Sequence, residues 1–333
     1  MNSKSLVGLA AVAVVLGGAA YFMQRGGKPA AAKLNGKAIL PGLSVADVAR
    51  VELGGKLTLA ASADGWKVES LHGYPADREK IAENLMKLTE LKVGQVAHGR
   101  KLGAETAVTL KDAAGKELAA LTLGDKHSRK AKGQSAMYGG YPDGRYVAFA
   151  GETVLVKDTL DAFDGDVKQW CNTRIASIPS SDVTAVSYAH GKALVELVKG
   201  TNSTWTLKGL TAKEELDSSK TYSLDSALSY LDFNSIADPK LTEAELGFAT
   251  GFVYTVTYKD GSNTVKRVAT VGNKVKGGSD RYFKLDSEKW VYAISSYSAE
   301  NMMKSRKDLV KAKEEPKPEA KQPEVKQPET AKK

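Results

Sequence analysis

Apolar and polar positions alternate along most of this chain, and one break in the alternation organises the rest. From Gly65 to Val93 the sequence GWKVESLHGYPADREKIAENLMKLTELKV reads as a strand carrying Trp66, a Tyr74-Pro75 turn and an amphipathic helix. Ile81, Leu85 and Leu88 recur at i, i+4, i+7, the spacing of one buried helical stripe. Asp77 stands where an N-cap belongs, and Glu79 lies in the first turn, where the helix dipole favours negative charge. A weaker form of the unit recurs in the second half, where Trp205 leads to Leu224, Leu228 and Leu231 at the same spacing.

Period-two alternation places strands at Val48–Leu53, Leu57–Ala61 and Trp66–Ser70 before the helix. After it come Ala107–Lys111, Glu117–Leu123, Arg145–Ala150 and Val154–Val156, a long loop Lys126–Gly144, and a helical segment Lys157–Trp170. The second half repeats this order with strands Leu194–Val198 and Thr204–Leu207, a helix over Ser223–Phe233, and strands Phe252–Tyr258 and Thr264–Val271. Asp260-Gly261 between the last two is a hairpin signal. Asp182-Val183-x-x-Val186 echoes Asp47-Val48-x-x-Val51, and Val271-Gly272-Asn273-Lys274 matches Leu123-Gly124-Asp125-Lys126. Asp280-Arg281-Tyr282 likewise matches Gly144-Arg145-Tyr146. The pattern predicts an α+β fold of two tandem repeats, residues 39–175 and 176–310. Each is a mainly antiparallel sheet with a packed helix.

The ends read differently. Leu6–Met23 is an unbroken apolar run flanked by Lys4, Arg25 and Lys28, and about 18 apolar residues is the lower edge of what spans a bilayer. Residues 1–25 are therefore expected to form one N-terminal transmembrane helix, with a cleaved signal peptide as the alternative. Residues 26–38 read as a linker. From 311 to 333 the chain is Pro, Lys, Glu, Ala and Gln, with almost nothing to bury, and reads as a disordered tail.

The net charge of +9 has much of its basic excess near the N-terminal run and in the tail. That placement suits a membrane surface and argues against a nucleic-acid partner, which would draw clustered Lys and Arg interleaved with stacking aromatics. With a single cysteine, Cys171, no intramolecular disulfide forms.

The chain offers little chemistry. Four dispersed histidines, His72, His98, His127 and His190, give no zinc set. Asp161-x-x-Asp164-Gly-Asp166 lacks the order of a calcium loop and reads as a capped helix boundary. Gly272–Gly277 has phosphate-loop glycine spacing, but Gly278-Ser279 stands where Lys-Ser/Thr is required. Cys171 has no evident histidine partner, and no nucleophile elbow appears. No catalytic residue, metal site or cofactor is expected. The concentrated charge lies in Lys126, Arg129, Lys130 and Lys132, and with Lys274, Lys276 and Arg281 these form the candidate binding loops.

Gly73-Tyr74-Pro75-Ala76-Asp77 followed by the Ile81/Leu85/Leu88 helix resembles the bacterial family called domain of unknown function 4340. Leu40-Pro41-Gly42-Leu43, Gly65-Trp66-Lys67-Val68, Leu123-Gly124 and Arg145-Tyr146-Val147 fit the same pattern, most closely over residues 36–165. The resemblance implies one membrane anchor, a large extracytoplasmic part and association with gliding-type ABC transporter components. It carries no catalytic residues. The expectation is a non-enzymatic accessory or scaffolding subunit at the bacterial inner membrane, mostly periplasmic, that acts by protein binding. The alternative is an extracytoplasmic ligand-binding module or enzyme with its site between the two repeats.

Overall fold

The computed structural model describes residues 34–129, 140–221, 223–286 and 288–313. The chain divides after Thr173 into two compact units. Antiparallel strands dominate both, because alternating sequences bury one side chain in two, as in the buried-every-second-residue patterns of Arg50–Leu53 and Glu152–Val156.

In unit one the strands are β1 (Arg50–Leu53), β2 (Leu57–Ser62), β3 (Gly65–Val68), β4 (Tyr74–Pro75), β5 (Gln95–Val96), β6 (Thr106–Lys111), β7 (Glu117–Arg129), β8 (Tyr141–Phe149) and β9 (Glu152–Val156). They form one sheet in the order β4-β3-β2-β1-β6-β7-β8-β9-β5. The helix α1 (Arg78–Glu90) joins β4 to β5 and buries Ile81, Leu85 and Leu88. Asp77 caps it by accepting from Glu79 N at 3.0 Å and Lys80 N at 3.3 Å. Asp77→Ala is expected to cost about 1 kcal/mol in chemical denaturation, the usual worth of such a cap.

Unit two contains β10 (Arg174–Ala176), β11 (Val183–His190), β12 (Ala193–Lys199), β13 (Trp205–Leu207), β14 (Glu214–Leu216), β15 (Leu231–Asp232), β16 (Ser235–Ile236), β17 (Phe252–Asp260), β18 (Asn263–Lys274), β19 (Arg281–Leu285), β20 (Tyr292–Ile294) and β21 (Val310–Ala312). Its main sheet runs β13-β12-β11-β17-β18-β19-β20-β16. Strand for strand this is the order of unit one without β4. The β17–β18 turn closes at the Asp260↔Asn263 pair, with Gly261 at φ +59°. Two short helices, α2 (Glu243–Leu246) and α3 (Ser296–Glu300), lie outside the sheet.

The α+β class is overturned. The described residues hold three α-helices, of which α1 alone exceeds a turn or so, and strands make up most of the regular structure. The helix expected over Ser223–Phe233 is a run of turns from Ser223 to Ser229 that leads into β15, although Leu224, Leu228 and Leu231 are all buried. The segment Lys157–Trp170 holds two 3₁₀ turns, Asp161–Asp164 and Val167–Gln169. Of the expected Lys126–Gly144 loop, Lys126–Arg129 continues β7 and Tyr141–Gly144 opens β8, while residues 130–139 lie outside the described residues. Among the described residues no helix is long and apolar enough to cross a membrane. The expected anchor over residues 1–25 lies outside the described residues, as does the expected tail over 311–333 from 314 onward, whereas Lys311 and Ala312 belong to β21 and pair with β14.

Candidate functional site

The residues that match between the halves meet at one device in each unit. In unit one the β7–β8 register shifts between Leu123↔Val147 and Lys126↔Arg145, so Gly124-Asp125 forms a β-bulge. The bulge brings Asp125 N onto Leu102 O at 2.7 Å, while Asp125 Oδ1 accepts from Ala104 N at 3.0 Å. A side chain on Gly124 would collide with Leu102 O. Arg145 Nε then donates to Gly124 O at 2.9 Å and locks the bulge from the neighbouring strand.

Unit two repeats the device. The β18–β19 register shifts between Val271↔Phe283 and Lys274↔Arg281, placing the bulge at Gly272-Asn273. Asn273 Nδ2 donates to Ala244 O and Glu245 O, each at 3.1 Å, and Arg281 Nη1 donates to Gly272 O at 2.9 Å. The sequence matches therefore mark a structural lock. Its other half, Leu102-Gly103 in unit one and Leu246-Gly247 in unit two, was missed, although Lys101-Leu-Gly-Ala-Glu-Thr106 and Glu245-Leu-Gly-Phe-Ala-Thr250 share Leu-Gly and a Thr at fixed spacing.

Around the unit-one lock the charges are used internally. Arg145 is buried and also donates from Nη1 to Leu160 O at 3.2 Å and Thr159 O at 3.3 Å, and it pairs with Asp164 at 2.7 Å. Lys126 Nζ bridges Asp161 at 2.5 Å and Asp164 at 2.7 Å. Hydrogen bonds that Lys126 donates to these carboxylates, Asp161 first, raise its pKa. Burial works against charge on Asp164, yet hydrogen bonds from Lys126 and Arg145 outweigh it and hold that carboxyl below its usual range. Asp161 is held low mainly by Lys126. The Asp161–Asp164 turn, read in the sequence as a helix boundary, is thus the counter-charge of the lock.

Asp143 accepts a short 2.5 Å hydrogen bond from His127 Nδ1 and meets Arg129 Nε at 3.1 Å. The His127 hydrogen bond is the main reason its carboxyl sits low. The Tyr146 ring carries the Arg100 guanidinium 3.9 Å from its centroid and the His127 ring edge-on at 5.9 Å. Of the candidate loop residues, Lys126 is consumed in ion pairs, and Arg129 keeps 83% of its side chain exposed despite its contact with Asp143. Lys130 and Lys132 lie outside the described residues. Lys274, Lys276 and Arg281 belong to unit two, with Lys274 opposite Arg281 in the lock and Lys276 exposed beyond it.

Cys171 is buried, donates to Val167 O at 3.3 Å, and has its thiol pushed up to about 11 by burial. A thiolate nucleophile is not available there at neutral pH. Among the described residues no group of three or more His, Cys, Asp or Glu converges on a metal position.

Unit two carries two surface features that sequence reading did not single out. On the outward face of β11–β12, Ala185, Ser187 and Ala189 stand opposite Val198, Glu196 and Leu194. Leu194 is 62% exposed and Val198 45%. The corresponding face of unit one instead carries Arg50, Glu52 and Lys111, tied by ion pairs of 2.7 Å and 2.9 Å. A pocket of about 410 Å³ also opens beside β16, walled by Ile236, Pro239, Leu241, Leu246 and Trp290, with Asp238 and Glu243 at its polar side.

A family model described as "Domain of unknown function (DUF4340)" matches residues 66–249, more than half of the chain, and the chain belongs to that family. No curated protein and no solved structure matches it.

Proposed function

We propose that this member of the family is a non-enzymatic binding protein of the bacterial envelope, an accessory or scaffolding subunit docked to an ABC-type transporter outside the cytoplasm. One observation carries the reading. Two sheets share a strand order, but one shows the solvent a face tied by the Arg50–Glu52 and Lys111–Glu52 ion pairs, while on the other Leu194 and Val198 stand exposed among small residues, on either side of a Glu196 that pairs with Lys208 at 3.2 Å. A contiguous exposed apolar patch is a usual mark of a protein-binding surface. The apolar run Leu6–Met23 supports a place at the membrane, and the transporter context follows from the family resemblance.

The test is affinity purification of the full-length protein from gently solubilised native membranes, with crosslinking and mass spectrometry. Permease subunits crosslinked to unit two, with the ATPase subunit copurifying through the permease, are the expected result. Recovery of the protein without them overturns the transporter role. A Leu194→Lys, Val198→Lys double variant is expected to lose at least tenfold of that recovery while keeping its unfolding midpoint, since both side chains face water.

The pocket beside β16 favours a second reading, an extracytoplasmic ligand-binding module. Its volume is within the range of small-molecule sites, about 300–1,000 Å³. Recovery of the protein with a bound small molecule, lost in Trp290→Ala, would move the assignment there.

A further inference from the structure

We infer that the free edge of β13 is a strand-addition site for an extended segment of a partner protein carrying an aromatic–proline pair. The inference rests on the binding-scaffold reading and names how one partner is held.

Unit one shows the arrangement complete. Its matching strand β3 is closed by β4, with Val68 opposite Tyr74 and Lys67 opposite Pro75. Gly73 N donates to Val68 O at 3.1 Å, and Ala76 N donates to Trp66 O at 2.8 Å. Pro75 has no N–H to offer a further strand, so the sheet ends there.

In unit two β13 holds the same place beside β12 but, among the described residues, is the last strand of its sheet. The chain beyond it departs to form β14, which pairs with β21 instead. Lys208 N donates to Glu196 O at 2.9 Å and Gly200 N to Thr204 O at 2.8 Å. The even-numbered residues of β13 therefore bond to β12, and the N–H and C=O groups of Trp205 and Leu207 point off the edge. These two residues match Trp66 and Val68, whose carbonyls are the ones taken in unit one. Of the devices that blunt such strands this edge has its shortness, three residues, and not the others. It has no proline, and its register with β12 runs without a bulge through Leu197↔Leu207, Val198↔Thr206 and Lys199↔Trp205. Val198, exposed opposite Thr206, supplies apolar surface beside it.

A segment that copies β4 sets its aromatic residue opposite Leu207 and its proline opposite Thr206. It donates to the carbonyls of Trp205 and Leu207 and accepts from their N–H groups, so backbone bonds supply affinity and the side-chain pair supplies specificity.

The probe is a synthetic peptide with the sequence of residues 72–77, His-Gly-Tyr-Pro-Ala-Asp, its tyrosine replaced by a benzophenone photocrosslinker. It is mixed with purified full-length protein, and the crosslink is mapped by mass spectrometry. The expected attachment is at Thr206–Lys208. Trp205→Pro removes an outward N–H without touching a bond to β12 and is expected to weaken peptide capture at least tenfold. Trp205→Ala keeps that N–H and is expected to stay within about threefold. Attachment elsewhere, no saturable capture, or equal capture by both variants overturns the inference. So does self-association sensitive to Trp205→Pro, which would make a second copy the occupant. If the transporter subunits copurify undiminished with Trp205→Pro, the edge assignment fails and the scaffold reading stands. If they are absent from the wild type while the peptide still binds at β13, the transporter reading fails and the edge survives.

Discussion

Arg145→Met is expected to destabilise unit one by about 3–5 kcal/mol in chemical denaturation. The side chain is buried and satisfies the carbonyls of Gly124, Thr159 and Leu160 besides its pair with Asp164. Methionine fills much of the volume but donates nothing, and each buried carbonyl left without a donor costs about 1–3 kcal/mol. Asp164 is part-exposed and regains water, so it adds little. The equivalent Arg281→Met is expected to cost only about 1–2 kcal/mol, because that half-buried guanidinium makes one bond, to Gly272 O. The Arg145 loss should also depend on pH. Asp161 and Asp164 have folded-state pKa values below the ordinary range, so their contribution is present above the unfolded value and is lost as pH falls through the folded one. The gap between wild type and Arg145→Met should therefore narrow toward pH 3, leaving the part due to the carbonyls. A gap that widens on acidification, or a loss under 1 kcal/mol at neutral pH, would mean that the lock does not hold the bulge.

Much of this fold was legible because the signals were local. Alternation located the strands, since burial of one face is written every second residue. Asp260-Gly261 gave the hairpin because its turn needs a positive φ, and Asp77 gave the start of α1 because an N-cap needs an acceptor. What failed was decided by partners distant in sequence. The Leu224/Leu228/Leu231 stripe has helical spacing and is buried, yet no helix forms. Tyr254 Oη donates to Leu224 O at 3.0 Å, and Ile178 N donates to Leu228 O at 2.9 Å, so carbonyls that a helix would need are taken from outside. Ser226 and Ser229 also turn their hydroxyls back to Ser223 O and Asp225 O, the competition that makes serine a weak helix former. Lys126 of the candidate basic loop shows a related limit. Charge concentration is visible in sequence, but the neutralising Asp161 and Asp164 arrive from a turn more than thirty residues downstream. The Gly-Asp/Asn-Lys matches were found without their meaning, because a bulge is visible only when two strands are counted against each other.

Trp170→Ala is expected to cost about 3–5 kcal/mol, the range for removing a large buried aromatic, and to release the start of α1. Trp170 is fully buried, its ring meets Phe163 edge-on at 5.3 Å, and its Nε1 donates to Ala162 O at 2.8 Å. The turn it anchors also receives α1. Asp77 N donates to Trp170 O at 2.8 Å, Asn84 Nδ2 to Gln169 O at 3.0 Å, and Lys80 Nζ to Lys168 O at 2.9 Å and Cys171 O at 3.0 Å. These bonds join α1 to the last segment of its own unit, about ninety residues on, and the buried indole ties that segment to Ala162 and Phe163. Trp170→Phe separates the causes. It keeps an apolar ring but leaves Ala162 O without its donor, and should lose about 1–3 kcal/mol. Amide hydrogen exchange supplies the readout that stability alone does not. In Trp170→Ala the first turn of α1, Arg78–Ala82, should lose protection while β6–β7 keep theirs; uniform loss across unit one would show that Trp170 serves the core as a whole and does not clamp the helix.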